Sequence, residues 1–154
     1  MTLMLVEHEG RAPTVDPEAW VAPTALLCGD VRVAAGARVL WNAVPVDDGG
    51  GVELGERAIV MEHALLRGRP EHPVRIGANV IVGPHAHVNG AAIPDHAFVA
   101  TGAAPFPGAI WAIQRDLDFP GTVLRARPGA PAAEAAHRYS ELFGRHRADR
   151  PLPG

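Results

Sequence analysis

The central stretch of the chain carries aliphatic residues at intervals of mostly six, and this period restricts the fold more than any other feature. Several of these residues, within 54–106, are followed four positions later by alanine. A helix needs apolar residues every three or four positions and an amphipathic strand every two, so neither fits. A solenoid of short strands with small residues at its corners does fit, and this hexapeptide repeat predicts an all-β parallel β-helix.

Three repeats make one coil, so the same pattern predicts which side chains share a face. The first face holds Val33, Leu54, Ile76 and Ile93; the second holds Val39, Val60, Val82 and Val99; the third holds Pro45, Leu66, Val88 and Pro105. Two interruptions, residues 47–51 and 68–73, are predicted loops because they are rich in Gly, Pro and Asp. Both should leave the solenoid at the edge between the third face and the next first face.

The 154 residues, 47% of them hydrophobic, are enough for a single domain with a real core. We expect a leading extended segment over residues 1–27, the β-helix over 28–106 and a Pro- and Gly-rich connection over 107–131. Residues 132–150 have the composition of an amphipathic C-terminal α-helix, which must cover a face of the solenoid.

Composition excludes several functional classes. The net charge is −3 without a basic run, which argues against a nucleic-acid partner. The chain contains no Lys, so a Schiff-base mechanism is excluded. A lone Cys28 cannot form a disulfide or a thiolate zinc site within one subunit, and we expect it to be a buried structural thiol. No export signal or membrane span is evident, so a cytoplasmic location without membrane partners is expected.

Several segments together resemble the γ-class carbonic anhydrases. They cover roughly residues 13–148 and read, in order, WVAPTALLCGDV, LWNAV, LGERAIVMEHALL, VRIGANVIVGPHAHVNGAAI and ATGAAPFPGA. The resemblance implies a left-handed β-helix and a homotrimer. It also implies an intersubunit active site, in which three His hold a zinc or a related ion.

The residues at the three corresponding ligand positions are Arg67, Pro84 and Asn89. A proline side chain has no donor atom and a guanidinium stays cationic, so the resemblance predicts a divergent metal site. Met61 and Glu62 likewise stand where the family has Gln and Asp. Neither a cofactor nor ordinary CO₂ hydratase activity is therefore expected, and whether the chain is an enzyme stays open.

The favoured prediction is a trimer whose cleft binds a small, anionic ligand through Arg67, Asn89 and His87. A guanidinium beside an amide suits a carboxylate or phosphate group. A non-catalytic structural trimer is an alternative, with Arg67 bridging to an acid such as Glu62 or Asp48 across the subunit contact.

Two catalytic alternatives also remain. His63 and His85 each follow a second-face aliphatic residue by three positions, so they should stack one coil apart. With His87 or Glu62 they could hold a relocated zinc, and His63, His85 and Glu62 would then be the catalytic groups of a metal-dependent hydratase or lyase. Related solenoids include hexapeptide acyltransferases, in which His85 would act as the general base.

Overall fold

The computed structural model describes residues 3–105, which form a left-handed parallel β-helix. Fifteen short strands follow one another along the chain. They are β1 Met4–Val6, β2 Thr14–Val15, β3 Trp20–Val21, β4 Leu26–Cys28, β5 Val31–Val33, β6 Arg38–Val39, β7 Val44–Asp47, β8 Val52–Leu54, β9 Ile59–Val60, β10 Leu65–Gly68, β11 Val74–Ile76, β12 Ile81–Val82, β13 His87–Asn89, β14 Ala92–Ile93 and β15 Phe98–Val99.

These strands form three parallel sheets of five strands each, one for every face of the coil. The first sheet contains β2, β5, β8, β11 and β14; the second contains β3, β6, β9, β12 and β15; the third contains β1, β4, β7, β10 and β13. Each strand pairs with the one that lies three elements away, as expected when three short strands complete a coil. The predicted solenoid is confirmed.

The strand register confirms the predicted faces. Leu54 pairs with Val33 and Ile76 on the first sheet, and the same register joins the predicted residues from Val39 to Val99 on the second sheet and from Pro45 to Val88 on the third. The aliphatic residues of these rows are buried, and the alanines four positions later fill the corners. Strand pairing and apolar burial therefore follow from the same six-residue period, because each coil places equivalent residues above one another.

The solenoid begins earlier than the predicted boundary at Cys28. Within residues 1–27, β2 pairs with β5 and β3 pairs with β6, so this segment builds the first coil. Its prolines lie outside the strands, where their missing N–H groups interrupt no ladder. The proline content identifies corners here, and does not indicate an unpaired extension.

Cys28 is half-buried, in contrast to the predicted buried thiol. Successive side chains of a strand point to opposite faces, and in β4 the fully buried residue is Leu27. Cys28 is paired with Val6 and Val46 on the outward row of the third sheet.

The corners of the coil hold several non-glycine residues in the left-handed backbone conformation. One column contains Asn42, His63 and His85, with φ of 60°, 59° and 56°, and Gly102 with φ of 70° in the same place on the next coil. A second column includes Asn79 and ends at His96, with φ of 62°.

Trp20 and Trp41 contact each other edge to face, with ring centroids 5.7 Å apart.

The predicted connection and C-terminal helix lie outside the described residues. Across the part of the chain that the structure covers, no helix is long and apolar enough to cross a membrane.

Candidate functional site

The residues predicted to bind a ligand lie on the outer surface of the third sheet. Arg67, in β10, is the register partner of Asn89, in β13, so the predicted juxtaposition of these two residues is confirmed. His87 lies two residues before Asn89 in β13 and pairs with Leu65. Because alternate residues of a strand share a face, all three side chains lie on the outward side, away from buried Leu66 and Val88.

Among the residues that the structure describes, Arg67 has one acidic partner. Its Nη1 donates to Oδ2 of Asp48 at 3.4 Å, and the two side chains are 42% and 56% exposed. An exposed ion pair of this length contributes little, because water screens both charges. The guanidinium can therefore exchange Asp48 for a better-placed anion at small cost.

Two polar atoms of β13 are buried without a hydrogen-bond partner in residues 3–105. They are Nε2 of His87 and Oδ1 of Asn89. An unsatisfied buried polar atom costs about 1 to 3 kcal/mol, so native proteins usually provide such atoms with a partner. The two ends of the Asn89 amide exchange by a half-turn, so this position can either accept or donate a hydrogen bond.

Pro84 does not join Arg67 and Asn89. It follows β12 at the corner between the second and third sheets, directly before His85. The three residues that the resemblance predicts at metal-ligand positions therefore occupy two separate places on one chain.

His63 and His85 are brought together as predicted, although at a corner of the coil and not on a flat face. Their rings are parallel, with an interplanar angle of 0° and centroids 4.9 Å apart. The N–H of His85 donates to the carbonyl of Glu62 on the preceding coil at 3.0 Å. Among the residues that the structure describes, no three His, Cys, Asp or Glu side chains converge into a possible metal site. Neither His87 nor Glu62 thus completes the pair within the described chain.

An open groove of about 950 Å³ lies elsewhere, along the first sheet. Its floor includes a ladder of alternating charge, in which Glu53 lies 3.5 Å from Arg32 and 3.8 Å from Arg75. The three side chains are at least half exposed, and they form ion pairs with one another. The described residues that line this groove leave no buried side-chain polar atom unsatisfied, in contrast to those of β13 beside Arg67.

The chain is similar in sequence to several known proteins. Over 131 residues the chain is 30% identical to "Gamma carbonic anhydrase 1, mitochondrial" of Arabidopsis thaliana. The matched segment covers 80% of this chain and 47% of that protein. It is 30% identical over 102 residues to "Carnitine operon protein CaiE" of Escherichia coli (strain K12), covering 66% of this chain and 52% of the relative. This is a γ-carbonic-anhydrase-like hexapeptide-repeat protein.

The likeness of this γ-carbonic-anhydrase-like protein to solved structures concerns the fold alone. A hexapeptide transferase family protein from Anaplasma phagocytophilum superposes with a TM-score of 0.62 at 18% identity, covering 95% of this chain and 99% of that one. No family model matches the sequence. The chain spans about half the length, or less, of the curated relatives that it matches.

The γ-carbonic-anhydrase-like solenoid also contains a buried carboxylate that sequence reasoning missed. Asp47, predicted to lie in a flexible loop, is 1% exposed. Its Oδ1 accepts hydrogen bonds from the N–H groups of Gly49 and Gly51 at 2.9 and 2.8 Å, and its Oδ2 accepts one from Asp30 at 3.1 Å. Arg11 Nε lies 3.5 Å from Oδ2. One charged side chain therefore connects the loops of three successive coils.

The pKa of Asp47 reflects opposing influences. Burial raises it, but the N–H donors of Gly51, Asp30 and Gly49 and the charge of Arg11 lower it by more. The pKa of this carboxyl consequently lies below its ordinary value of 3.8.

The alternation of half-buried and buried residues along β7 is a sequence signal for the burial of Asp47. Pro45 and Asp47 are both buried and Val46 lies between them, so Asp47 is in the inward phase. Its register partner on the next coil is Gly68. A side chain at Gly68 would overlap the carbonyl of Gly51, and one at Gly29 would meet Asp47 itself. An aspartate between glycines on an inward row indicates a buried anchor.

Proposed function

We propose that this protein is a homotrimer whose intersubunit cleft has lost the zinc site of its relatives and binds a small anion through Arg67, Asn89 and His87. The similar proteins include γ-carbonic anhydrases, which motivates the comparison with a zinc enzyme. The activity and partners of the whole protein remain part of this proposal.

The observation that carries the proposal is the pair of unsatisfied atoms on β13. His87 Nε2 and Asn89 Oδ1 are buried without a partner in the described chain, and the weakly paired Arg67 is the register neighbour of Asn89. A ligand with an anionic oxygen for the guanidinium and hydrogen-bonding groups for the imidazole and amide satisfies all three. Carboxylates and oxyacid monoanions belong to this class.

The donor set does not fit the zinc that the fold family implies. Zinc sites use thiolate, imidazole or carboxylate ligands, whereas Arg67 is a cation, Pro84 has no donor and Asn89 offers only a neutral amide. Without zinc there is no metal-bound water that loses a proton near neutral pH. Ordinary CO₂ hydration is therefore not expected of this site.

The outer surface of the third sheet supports the homotrimer. One of its outward rows contains Leu26, Val44 and Leu65, all half-buried. The equivalent row of the first sheet is the charged ladder around Glu53. Apolar residues on one outer face and charged residues on another favour subunit contact through the former, which would enclose Arg67 and Asn89.

Ligand titration of the tag-free protein tests this function. Calorimetric titration with bicarbonate, acetate and inorganic phosphate should detect binding of at least one anion, and Arg67→Ala should weaken it by about tenfold or more, as expected for loss of a charged hydrogen bond. Asn89→Ala should weaken the same anion. Arg75→Ala is the matched control, because Arg75 is also an outward arginine in a strand with an exposed acidic partner.

Two outcomes would contradict the proposal. Equal loss of binding in Arg75→Ala would show that only net charge matters. Stoichiometric zinc that disappears in Asn89→Ala would instead show a working metal site. If no anion binds but Arg67→Ala dissociates the trimer, the structural-trimer alternative is favoured.

A further inference from the structure

One column of corner residues has the left-handed backbone conformation and directs its side chains the same way on successive coils. It consists of Asn42, His63 and His85. The backbone conformations of the three residues are nearly identical, with φ of 60°, 59° and 56°. Equivalent residues of neighbouring coils are spaced like neighbouring strands, about 4.8 Å apart. The parallel rings of His63 and His85, with centroids 4.9 Å apart, follow directly from this register.

We propose that His63 and His85 form a surface site for a late first-row divalent metal ion, with Cu²⁺ preferred over Ni²⁺ and Zn²⁺. The site is separate from Arg67, which lies at the far end of β10 from His63. It goes beyond the proposed anion pocket and does not depend on it.

The geometry permits both rings to bind one ion. Metal–imidazole bonds are about 2.0 to 2.1 Å long, so the two ligating nitrogens must come within about 4 Å of each other. Both histidines are exposed, and their rings can tilt toward each other without repacking the core. Buried Ala64 and Ala86 directly follow them and fix the two backbones, so the approach is made by the side chains alone.

The coordination shell would be completed from outside the pair. Because no third His, Cys, Asp or Glu converges on these rings within residues 3–105, water supplies the remaining positions, with the amide oxygen of Asn42 available one coil away. Two imidazoles without a thiolate or carboxylate favour Cu²⁺, Ni²⁺ and Zn²⁺, and the general order of stabilities places Cu²⁺ first.

The left-handed backbone at these positions recurs at corner residues outside the proposed site, including Arg57 and His96, so it does not by itself indicate a binding site. A non-glycine residue in the left-handed region costs about 1 to 2 kcal/mol, and Gly102 occupies the same place on the next coil without that cost. The feature that distinguishes His63 and His85 is that their rings stack on consecutive coils, with centroids 4.9 Å apart.

Metal titration of tag-free protein tests the site. Calorimetry with Cu²⁺ and Zn²⁺ should show one ion bound per chain, and His63→Asn or His85→Asn should each weaken binding by at least about tenfold, because losing a ligand costs at least as much as losing a supporting contact. Asparagine tolerates the left-handed conformation, so these variants should keep the fold. The electron paramagnetic resonance spectrum of the Cu²⁺ complex should show coupling to two nitrogens.

The matched control is His96→Asn. His96 is also exposed and has φ of 62°, but its column neighbour is Asn79, so this change should leave binding unaltered. Arg67→Ala should likewise leave it unaltered, which separates this test from that of the anion pocket. Unchanged affinity in the His63→Asn/His85→Asn double variant, or no stoichiometric binding of either ion, would overturn the proposal.

Discussion

Asp47 shows how one residue can hold several coils together. Its carboxylate accepts three backbone hydrogen bonds and lies beside Arg11, and the surrounding loops approach too closely for side chains at Gly29 or Gly68. The aspartate- and glycine-rich composition of residues 47–51 indicated a flexible loop, because composition does not reveal which carboxylate turns inward. The strand alternation through Pro45 carries that information.

Replacing Asp47 should lower stability in a pH-dependent way. Asp47→Asn should reduce the free energy of unfolding by about 1.5 to 3 kcal/mol at neutral pH, because it removes hydrogen bonds to a charged acceptor. The folded-state pKa of Asp47 lies below its ordinary value, so its contribution is full above the unfolded pKa and is lost as pH falls through the folded pKa. Urea denaturation should therefore show the wild type and variant converging from about pH 5 downward.

Asp48→Asn is the matched control at the adjacent position. Asp48 is 56% exposed, and the contact that its side chain makes within residues 3–105 is a 3.4 Å ion pair, so its loss should change stability by less than about 0.5 kcal/mol. A similar loss in both variants would show that the loop responds to net charge and that burial of Asp47 contributes nothing specific.

At the scale of the strands, the sequence predicts the inward rows better than the outward ones. The six-residue period identifies Leu54, Ile76 and their partners because each must fill the same interior position. Outward positions accept many residue types, so the period says nothing about which of them meet. Arg67 and Asn89 could be paired from the sequence only because each follows an inward residue by one position. The period also does not predict that two polar atoms of β13 are buried without a hydrogen-bond partner among residues 3–105.

Neighbouring residues of β11 test this division. Ile76→Ala should reduce the free energy of unfolding by about 2 to 5 kcal/mol, because Ile76 is 3% exposed and its truncation leaves a cavity between coils. Arg75→Ala changes an outward side chain that is 66% exposed, so it should stay within about 0.5 kcal/mol. Chemical denaturation measures both values. Equal effects would mean that the two faces of this strand are not energetically distinct.

At the scale of the whole molecule, the three outer surfaces differ in character. The outward row of the first sheet is charged, whereas that of the third sheet contains Leu26, Val44 and Leu65. Aliphatic residues on an outer face gain most when another surface covers them, whether the predicted C-terminal helix or, as proposed here, a neighbouring subunit. Symmetry would bring the same face of every subunit into an equivalent contact.

Introducing a charge into this face should disrupt assembly. Leu65→Asp should convert the proposed trimer into monomers at micromolar concentration, because a carboxylate would be desolvated at the contact without a partner. Light scattering coupled to size-exclusion chromatography measures the mass. Ala92→Asp adds the same charge to the exposed row of the first sheet, beside Arg75, and should leave the mass unchanged. A wild-type protein that elutes as a monomer would contradict the assembly itself.

The edge-to-face contact between Trp20 and Trp41 gives the first turn of the solenoid an optical signature of its own. The two indoles belong to consecutive coils, and at a centroid separation of 5.7 Å with planes 74° apart their electronic transitions couple. That coupling produces an exciton circular dichroism signal only while the two coils remain stacked. In a solenoid, each repeat is stabilised mainly by its neighbours, so the ends can open before the middle. The coupled signal of this pair would therefore report fraying at this end separately from melting of the whole stack.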